Sequence, residues 1–163
     1  NVLEHLPSPS AAVRNLASAA RPGGVLVIAV PFPGGFQGWM TRWTPHWFHV
    51  AFYRRVLGRR TAGLPGHAPF RVWMRHGMAP ERIGRELEQL GFETLYEQTY
   101  RSTHYDEIAC GHGAVSCLVR IAAWLVWALS LGRIDRDVSD FIGLYRKPDE
   151  GSAPAREPAA TEG

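Results

Sequence analysis

A stripe of apolar residues near the start of the chain predicts a helix followed by a buried strand. Ser8-Pro9 favours a helix start, because a proline in the first turn loses no hydrogen bond that the helix would make. Residues 21–24 contain the turn pair Pro-Gly and predict the end of that helix. The next six residues, 25–30, are all apolar, which is typical of a strand buried on both faces of a parallel sheet. The stripe consists of Ala12, Val13, Leu16, Ala17 and Ala20.

Further elements follow from the same patterns. Residues 31–45 mix aromatic residues with proline and glycine, which predicts a loop, and Thr44-Pro45 starts a helix expected to reach about Leu57. A clearer amphipathic helix is predicted at 80–90, with Ile83, Leu87 and Leu90 facing inward and Gly91 ending it. Residues 92–100 and 140–147 are rich in strand-forming side chains and predict two further strands.

One long apolar segment lies between the last two predicted strands. Residues Ala114 to Leu131 include only three polar residues: Ser116, Arg120 and Ser130. As a helix the segment would measure roughly 27 Å, at the lower limit of a membrane span. Three interpretations stay open at this point: a buried or oligomer-forming helix, a helix lying in a membrane interface, and a true span.

Composition and charge narrow the classes of protein. The 163 residues suit one domain, and a 45% share of hydrophobic residues excludes a wholly disordered chain. Between His5 and Pro80 there are nine arginines and no acidic residue. The resulting positive field could attract phosphate, anionic lipid or nucleic acid. A general bias of the sequence towards arginine explains the same count equally well. Nucleic acid is not favoured, because the basic residues form no single stripe. Cys110 and Cys117 match no zinc or disulfide pattern, and no secretory leader precedes the first helix.

Four short segments, read in order, carry a family resemblance. They are Val2-Leu3-Glu4-His5-Leu6, the Pro22-Gly23-Gly24 turn with its apolar strand, Leu90-Gly91-Phe92, and a final strand ending Leu144-Tyr145-Arg146-Lys147. This order resembles the second half of a class I S-adenosylmethionine-dependent methyltransferase, of the group that also contains quinone and small-molecule methylases. The resemblance covers residues 1–147, with 101–139 as an unmatched apolar helical insertion.

The resemblance implies the fold class and the activity. The fold would be α/β, a partial Rossmann-like sheet of parallel strands with an antiparallel end hairpin. The activity would be methyl transfer from S-adenosylmethionine to a small, apolar or lipid-like acceptor. No glycine-rich cofactor turn occurs in the sequence, so we expect the cofactor-binding half to lie upstream of Asn1 and this chain to be a fragment. Residues 148–163 are predicted to be a disordered tail.

Glu4 and His5 are the candidate catalytic residues. They end a predicted strand, the place where open α/β sheets bind ligands, and histidine changes charge near neutral pH. His5 could take a proton from a hydroxyl acceptor, with Glu4 orienting it, or could merely support the loop. In the resembling family this position lies beside the cofactor, which makes Leu3 and Glu4 the expected cofactor contacts. Quinone methylases of the group bind a metal with E-x-x-E-H; Asn1 replaces the first glutamate, and no metal is expected.

The segment after the predicted strand 25–30 is where this family covers its substrate. The expected substrate-binding residues are Trp43, His46, His49, Tyr53 and Arg54. Together with the apolar helix at 114–131, these aromatic residues suggest an acceptor delivered from an anionic membrane surface. The alternative is a non-enzymatic module that binds a membrane or a partner on a degenerate methyltransferase scaffold. We expect a cytoplasmic protein, either free or held peripherally at a membrane.

Overall fold

The computed structural model describes residues 2–72, 78–103, 105–106 and 113–149. A 3-10 turn, Leu3–His5, precedes five helices and three strands whose bounds lie entirely within these ranges. The helices are α1 (Pro9–Ala19), α2 (Phe36–Trp43), α3 (His46–Arg55), α4 (Pro80–Gln89) and α5 (Ala114–Leu129), and the strands are β1 (Val25–Pro31), β2 (Glu93–Tyr100) and β3 (Asp140–Arg146). The expected disordered tail lies outside the described residues from position 150 onward.

The three strands form one sheet in the order β1-β3-β2. β3 runs antiparallel to both neighbours, so β1 and β2 point in the same direction on either side of it. The mixed α/β class and the antiparallel pairing of the last two strands are confirmed. The pairs that join the described strands are all antiparallel, and the parallel part of the expected sheet is not seen among them.

The predicted double burial of β1 is wrong. Ile28 and Val30 are buried, whereas Val25 and Val27 are exposed, Val27 to 62%. Side chains alternate between the two faces of a strand, so helices cover one face of β1 and no described element covers the other. An all-apolar run therefore lies half in solvent within the described chain.

Helices α1 and α4 pack together on the covered face of the sheet. Val13 and Ala17 of α1 are buried, as the apolar stripe predicts, and so are Ile83 and Leu87 of α4. Leu90 was expected to face inward but lies just beyond α4 and is exposed. We call this cluster the sheet core; it consists of Leu3, Val13, Ala17, Ile28, Val30, Met78, Ile83, Leu87, Phe92, Phe141 and Tyr145.

Gly143 lies in the middle of the central strand for a steric reason. It pairs with Ile28 on one side and with Glu97 on the other. A Cβ at this position would lie 2.5 Å from the Tyr145 hydroxyl oxygen and 2.6 Å from Tyr145 Cε2, because the Tyr145 side chain folds back over the glycine. Tyr145 is fully buried and its hydroxyl donates to Glu97 Oε1 at 2.6 Å.

A second, smaller apolar cluster joins α2 to α5. Only Phe36, Tyr105 and Ala123 are buried in it, among the described residues. Partly buried side chains surround them: Trp39, Met40, Val119, Ala122, Val126 and Ile134. We call this cluster the helical core. Helix α3 contributes no buried residue at all.

Helix α2 occupies a segment that was predicted to be a loop. Its start is held by the chain before β3, because the Phe36 amide donates to the Asp135 carbonyl at 2.7 Å and the Asp135 amide donates to the Gly34 carbonyl at 2.9 Å. It ends at Trp43, since Pro45 disfavours helical geometry at the residue before it. The tryptophans of α2 and α3 therefore belong to two separate helices.

Helix α5 forms where the apolar segment predicts a helix, but it is shorter. It spans 16 residues and ends at Leu129. None of the helices in the described part of the chain is both long enough and apolar enough to cross a membrane. Of the three interpretations, the buried and the interfacial helix remain.

Candidate functional site

A cavity of about 840 Å³ brings four of the predicted site residues together. His5 lies on one wall, and His46, His49 and Tyr53 of α3 lie on another. Apolar side chains of α2 and α5 complete the lining, among them Phe36, Met40, Val119 and Ala122. The cavity thus lies between the Leu3–His5 turn and helices α2, α3 and α5.

The hydrogen bond of His5 fixes its tautomer. Nδ1 lies 2.8 Å from the Arg71 carbonyl oxygen, which can only accept, so Nδ1 carries the hydrogen. In the neutral ring the other nitrogen, Nε2, then holds a free lone pair. Nε2 lies 3.7 Å from Glu4 Oε1, too far for a hydrogen bond. The His5 and Phe70 rings also meet edge to face, with their centres 6.0 Å apart.

Glu4 is a buried acid with an unsatisfied oxygen. The residue is 3% exposed, and Oε2 has no hydrogen-bond partner among the described residues. A buried polar atom without a partner destabilises a fold, which is why such atoms are rare outside ligand sites. Glu4 thus places a buried acceptor without a described partner beside His5, although Glu4 itself does not line the cavity.

Leu3 has a different place from its neighbour. Its side chain is buried in the sheet core against the elements that carry the sheet. Only its carbonyl is engaged locally, where it accepts from the Leu6 amide at 3.2 Å and closes the turn. Leu3 anchors the segment that presents Glu4 and His5, and a side-chain contact with a cofactor is not what its burial supports.

His49 is held as a neutral ring. Its Nε2 lies 2.7 Å from Thr44 Oγ1, while the single hydroxyl proton of Thr44 is donated to the Met40 carbonyl at 2.6 Å. His49 must therefore donate from Nε2, which leaves Nδ1 as an acceptor. Burial lowers the pKa of His49, and the neighbouring His46 lowers it further.

Tyr53 is a further polar group that α3 brings to the cavity. Burial raises the pKa of its hydroxyl, although the nearby Arg59 guanidinium opposes that rise. The Arg59 side chain lies over the Tyr53 ring at 5.4 Å from its centre. Tyr53 thus keeps its proton and can donate a hydrogen bond.

Two of the predicted substrate contacts lie elsewhere. Trp43 is 69% exposed at the last residue of α2 and does not line the cavity. Arg54 donates from Nε to the Ala62 carbonyl at 2.8 Å and so fixes the loop after α3. Both residues were placed by proximity in sequence, and the helix direction takes them away from the cavity.

Other cavity residues were not predicted. Phe70 and Arg71 come from a connection with no periodic pattern, so no signal in the sequence could indicate them. Phe36 and Met40 are spaced i, i+4, which is a helix signal, but the prolines and glycines around them favoured a loop. The α5 contribution depends on long-range packing.

A second cavity, of about 990 Å³, lies on another side of α5. Its lining combines the charged residues Arg101, Arg120, Arg136 and Asp137 with the apolar residues Ile121 and Trp124. No cluster of three or more metal-binding side chains occurs in the described ranges. We call this second cavity the arginine cleft.

Comparison of the chain with protein-family models, with curated proteins and with solved structures finds no match. What the site can do is therefore argued from its own residues.

Proposed function

We propose that this chain belongs to an S-adenosylmethionine-dependent methyltransferase that acts on a small, apolar acceptor. The observation that carries the proposal is His5: one ring nitrogen is fixed by the Arg71 carbonyl, and the residue lines an apolar cavity. That arrangement suits a general base for an acceptor hydroxyl, since a base must be oriented before it can take a proton.

The chain's own residues would divide the work. S-adenosylmethionine, when bound, supplies an electrophilic methyl group. His5 Nε2 would receive the proton of the acceptor hydroxyl, and the Glu4 carboxylate, 3.7 Å away, would stabilise the positive ring that results. Tyr53 and His49 would orient the acceptor through hydrogen bonds, and the apolar walls would align it and exclude water.

One observed feature fits the cofactor. The unsatisfied Oε2 of Glu4 can accept a hydrogen bond from a hydroxyl or amino group of S-adenosylmethionine. The sequence lacks the glycine-rich turn, so this single contact would contribute only part of the affinity. An upstream cofactor half is therefore part of the proposal.

The sheet supports the same proposal. β1 is the outermost strand of the described sheet, and its uncovered face is apolar at Val25 and Val27. Further parallel strands with helices over them would bury that face, as in a Rossmann-like sheet.

Cofactor binding is the first test. S-adenosylmethionine is titrated calorimetrically into this chain and into a version extended upstream. Binding by the extended chain, weakened by Glu4→Gln, is the expected result. If neither chain binds, methyl transfer is excluded, whatever the sheet looks like.

His5 is tested in the extended chain by methyl incorporation. His5→Asn can still donate to the Arg71 carbonyl but has no basic nitrogen, so we expect kcat to fall by roughly 100- to 10,000-fold. His67→Asn is the matched control, since His67 also contacts a backbone carbonyl through Nδ1, that of Pro65, and lies outside the cavity. Equal activity of both variants would contradict the role of His5 as base.

A non-enzymatic binding module is the second candidate. The observation that favours it is the exposed apolar face of α5, which methyl transfer does not require. Membrane binding without cofactor binding by the extended chain would support this candidate over the enzyme.

A further inference from the structure

We propose that α5 docks flat on an anionic lipid bilayer, with its outer face among the acyl chains and the arginine cleft on the lipid phosphates. The docking does not depend on methyl transfer and would hold for either function above. The surface consists of Ile121, Trp124, Leu125 and Leu129 on the helix and Arg101, Arg120 and Arg136 in the cleft.

Helix α5 is apolar both on the side that packs in the helical core and on its outer side. Ala123 and Ser116 are the residues of α5 that are buried. On the outer side, Ile121 is 51% exposed and Leu129 is 83% exposed, with Trp124 and Leu125 between them. A helix that is apolar all round is stable only where an apolar phase covers it on both sides, as in a protein core or a bilayer.

The arginine cleft beside α5 carries more positive than negative side chains. Three arginines and one aspartate line the arginine cleft. Asp137 is engaged by Arg136 Nε at 3.2 Å and by Arg101 at 3.6 Å, and Arg101 also pairs with Asp106 at 2.5 Å. Arg120 forms no ion pair or hydrogen bond with any described residue, and it lies on α5 next to Ile121. Its guanidinium is therefore available to a phosphate oxygen.

A bilayer matches this combination better than a second copy of the chain. Symmetric pairing through α5 would bring Arg120 close to its own copy, and like charges repel. A lipid surface instead supplies acyl chains beside anionic headgroups, and tryptophan is favoured at that boundary. The 16 residues of α5 measure about 24 Å, short of the roughly 30 Å hydrocarbon layer, so the helix would lie along the surface.

The test is vesicle flotation with the 163-residue chain. The probes are vesicles of phosphatidylcholine alone and of phosphatidylcholine mixed with phosphatidylglycerol. We expect binding to the mixed vesicles, a loss of about fivefold in the partition coefficient for Arg120→Gln, and a loss of more than tenfold for Ile121→Asp.

Leu95→Asp is the matched control for Ile121→Asp. Leu95 lies on β2 and is 48% exposed. The Leu95→Asp variant should bind mixed vesicles as the unchanged chain does. Circular dichroism of each variant establishes that it is folded. Failure of the unchanged chain to float with mixed vesicles overturns the proposal, as does equal loss for Leu95→Asp and Ile121→Asp. Light scattering that shows a dimer abolished by Ile121→Asp, without lipid binding, would assign the face to a second copy.

Discussion

The two halves of the molecule bury their apolar residues to very different degrees. In the sheet half, α1 and α4 cover one face of three strands, and the sheet core includes fully buried side chains from every one of these elements except β2. In the helical half, α2 and α5 share a small core, and α3 contributes no buried residue. Both halves are rich in apolar residues, so composition does not explain the difference.

We infer from this difference that the two halves contribute unequally to the stability of the protein. Long-range strand pairing gives the sheet half its stability within the chain itself. The helical half instead directs apolar side chains towards an 840 Å³ cavity and towards solvent. Surfaces of that kind bind ligands or partners, and their residues contribute little to folding. Substitutions in the two halves should therefore separate stability from function.

The largest expected effect is in the sheet core. Phe141 of β3 is 2% exposed, and Phe141→Ala should lower the free energy of unfolding by about 3–5 kcal/mol, since it leaves a cavity in the sheet core. The equivalent change in the helical core, Phe36→Ala, should have an effect nearer about 2 kcal/mol, because fewer buried neighbours surround it. Urea unfolding measures both. Equal losses would mean that the two cores are equally important to folding.

A smaller loss is expected from one added methyl group in the central strand. Gly143→Ala would force its Cβ against the Tyr145 ring, which is buried and tied to Glu97, and should destabilise the protein by about 1–3 kcal/mol. Gly143→Ala combined with Tyr145→Ala should show non-additive losses in urea unfolding, because the double variant has no clash. Strict additivity would contradict the steric explanation.

His49 in the helical half should make the free energy of unfolding depend on pH. Because burial and His46 lower the pKa of His49, the unfolded chain takes up this proton at a higher pH than the folded protein does. The contribution of His49 to stability is thus complete above the unfolded pKa of about 6.5 and falls as the pH drops below it.

His49→Gln should make that decline shallower. Glutamine can still donate to Thr44 Oγ1 but does not titrate. Thermal unfolding measured between about pH 5 and pH 7.5 follows the effect, with His67→Asn as the control on an exposed loop. A decline that is identical in His49→Gln and in the unchanged chain would show that other groups cause it.

The smallest effect on folding is expected on the outer face of α5. Trp124→Ser removes a large side chain that is 51% exposed, and unfolding free energy should change by no more than about 0.5 kcal/mol. A loss of several kcal/mol would mean that α5 belongs to the folding core after all, and the contrast between the halves would disappear.

Local patterns predicted the elements well because each depends on neighbours in sequence. The stripe through Val13 and Ala17, the amphipathic pattern of Ile83 and Leu87, and the stop at Gly91 with its φ of +83° all match the structure. Ser8 precedes α1 as predicted, although its side chain makes no capping hydrogen bond. The extent of the domain over 1–147 stays a prediction.

Pairing and site geometry could not be predicted in the same way. The apolar run at 25–30 favoured the interior of a parallel sheet, but the partner of β1 is an antiparallel strand near the other end of the described chain, and nothing within residues 25–30 identifies it. His5 was singled out, but its bond to Arg71 joins segments that only the fold brings together. Trp43 and Arg54 show the converse: closeness in sequence to the site does not place a side chain in it.

The strand order β1-β3-β2 also has a consequence during synthesis. The central strand is the last of the three to leave the ribosome, and within the described sheet each outer strand pairs only with it. Until β3 emerges, the apolar β1 lacks this partner, and the backbone amides and carbonyls that β3 later pairs are open to any nascent chain nearby. The yield of folded protein should then depend on the delay between the synthesis of β1 and that of β3, and on whether a chaperone binds β1 in that time. It should depend less on the stability of the folded sheet core.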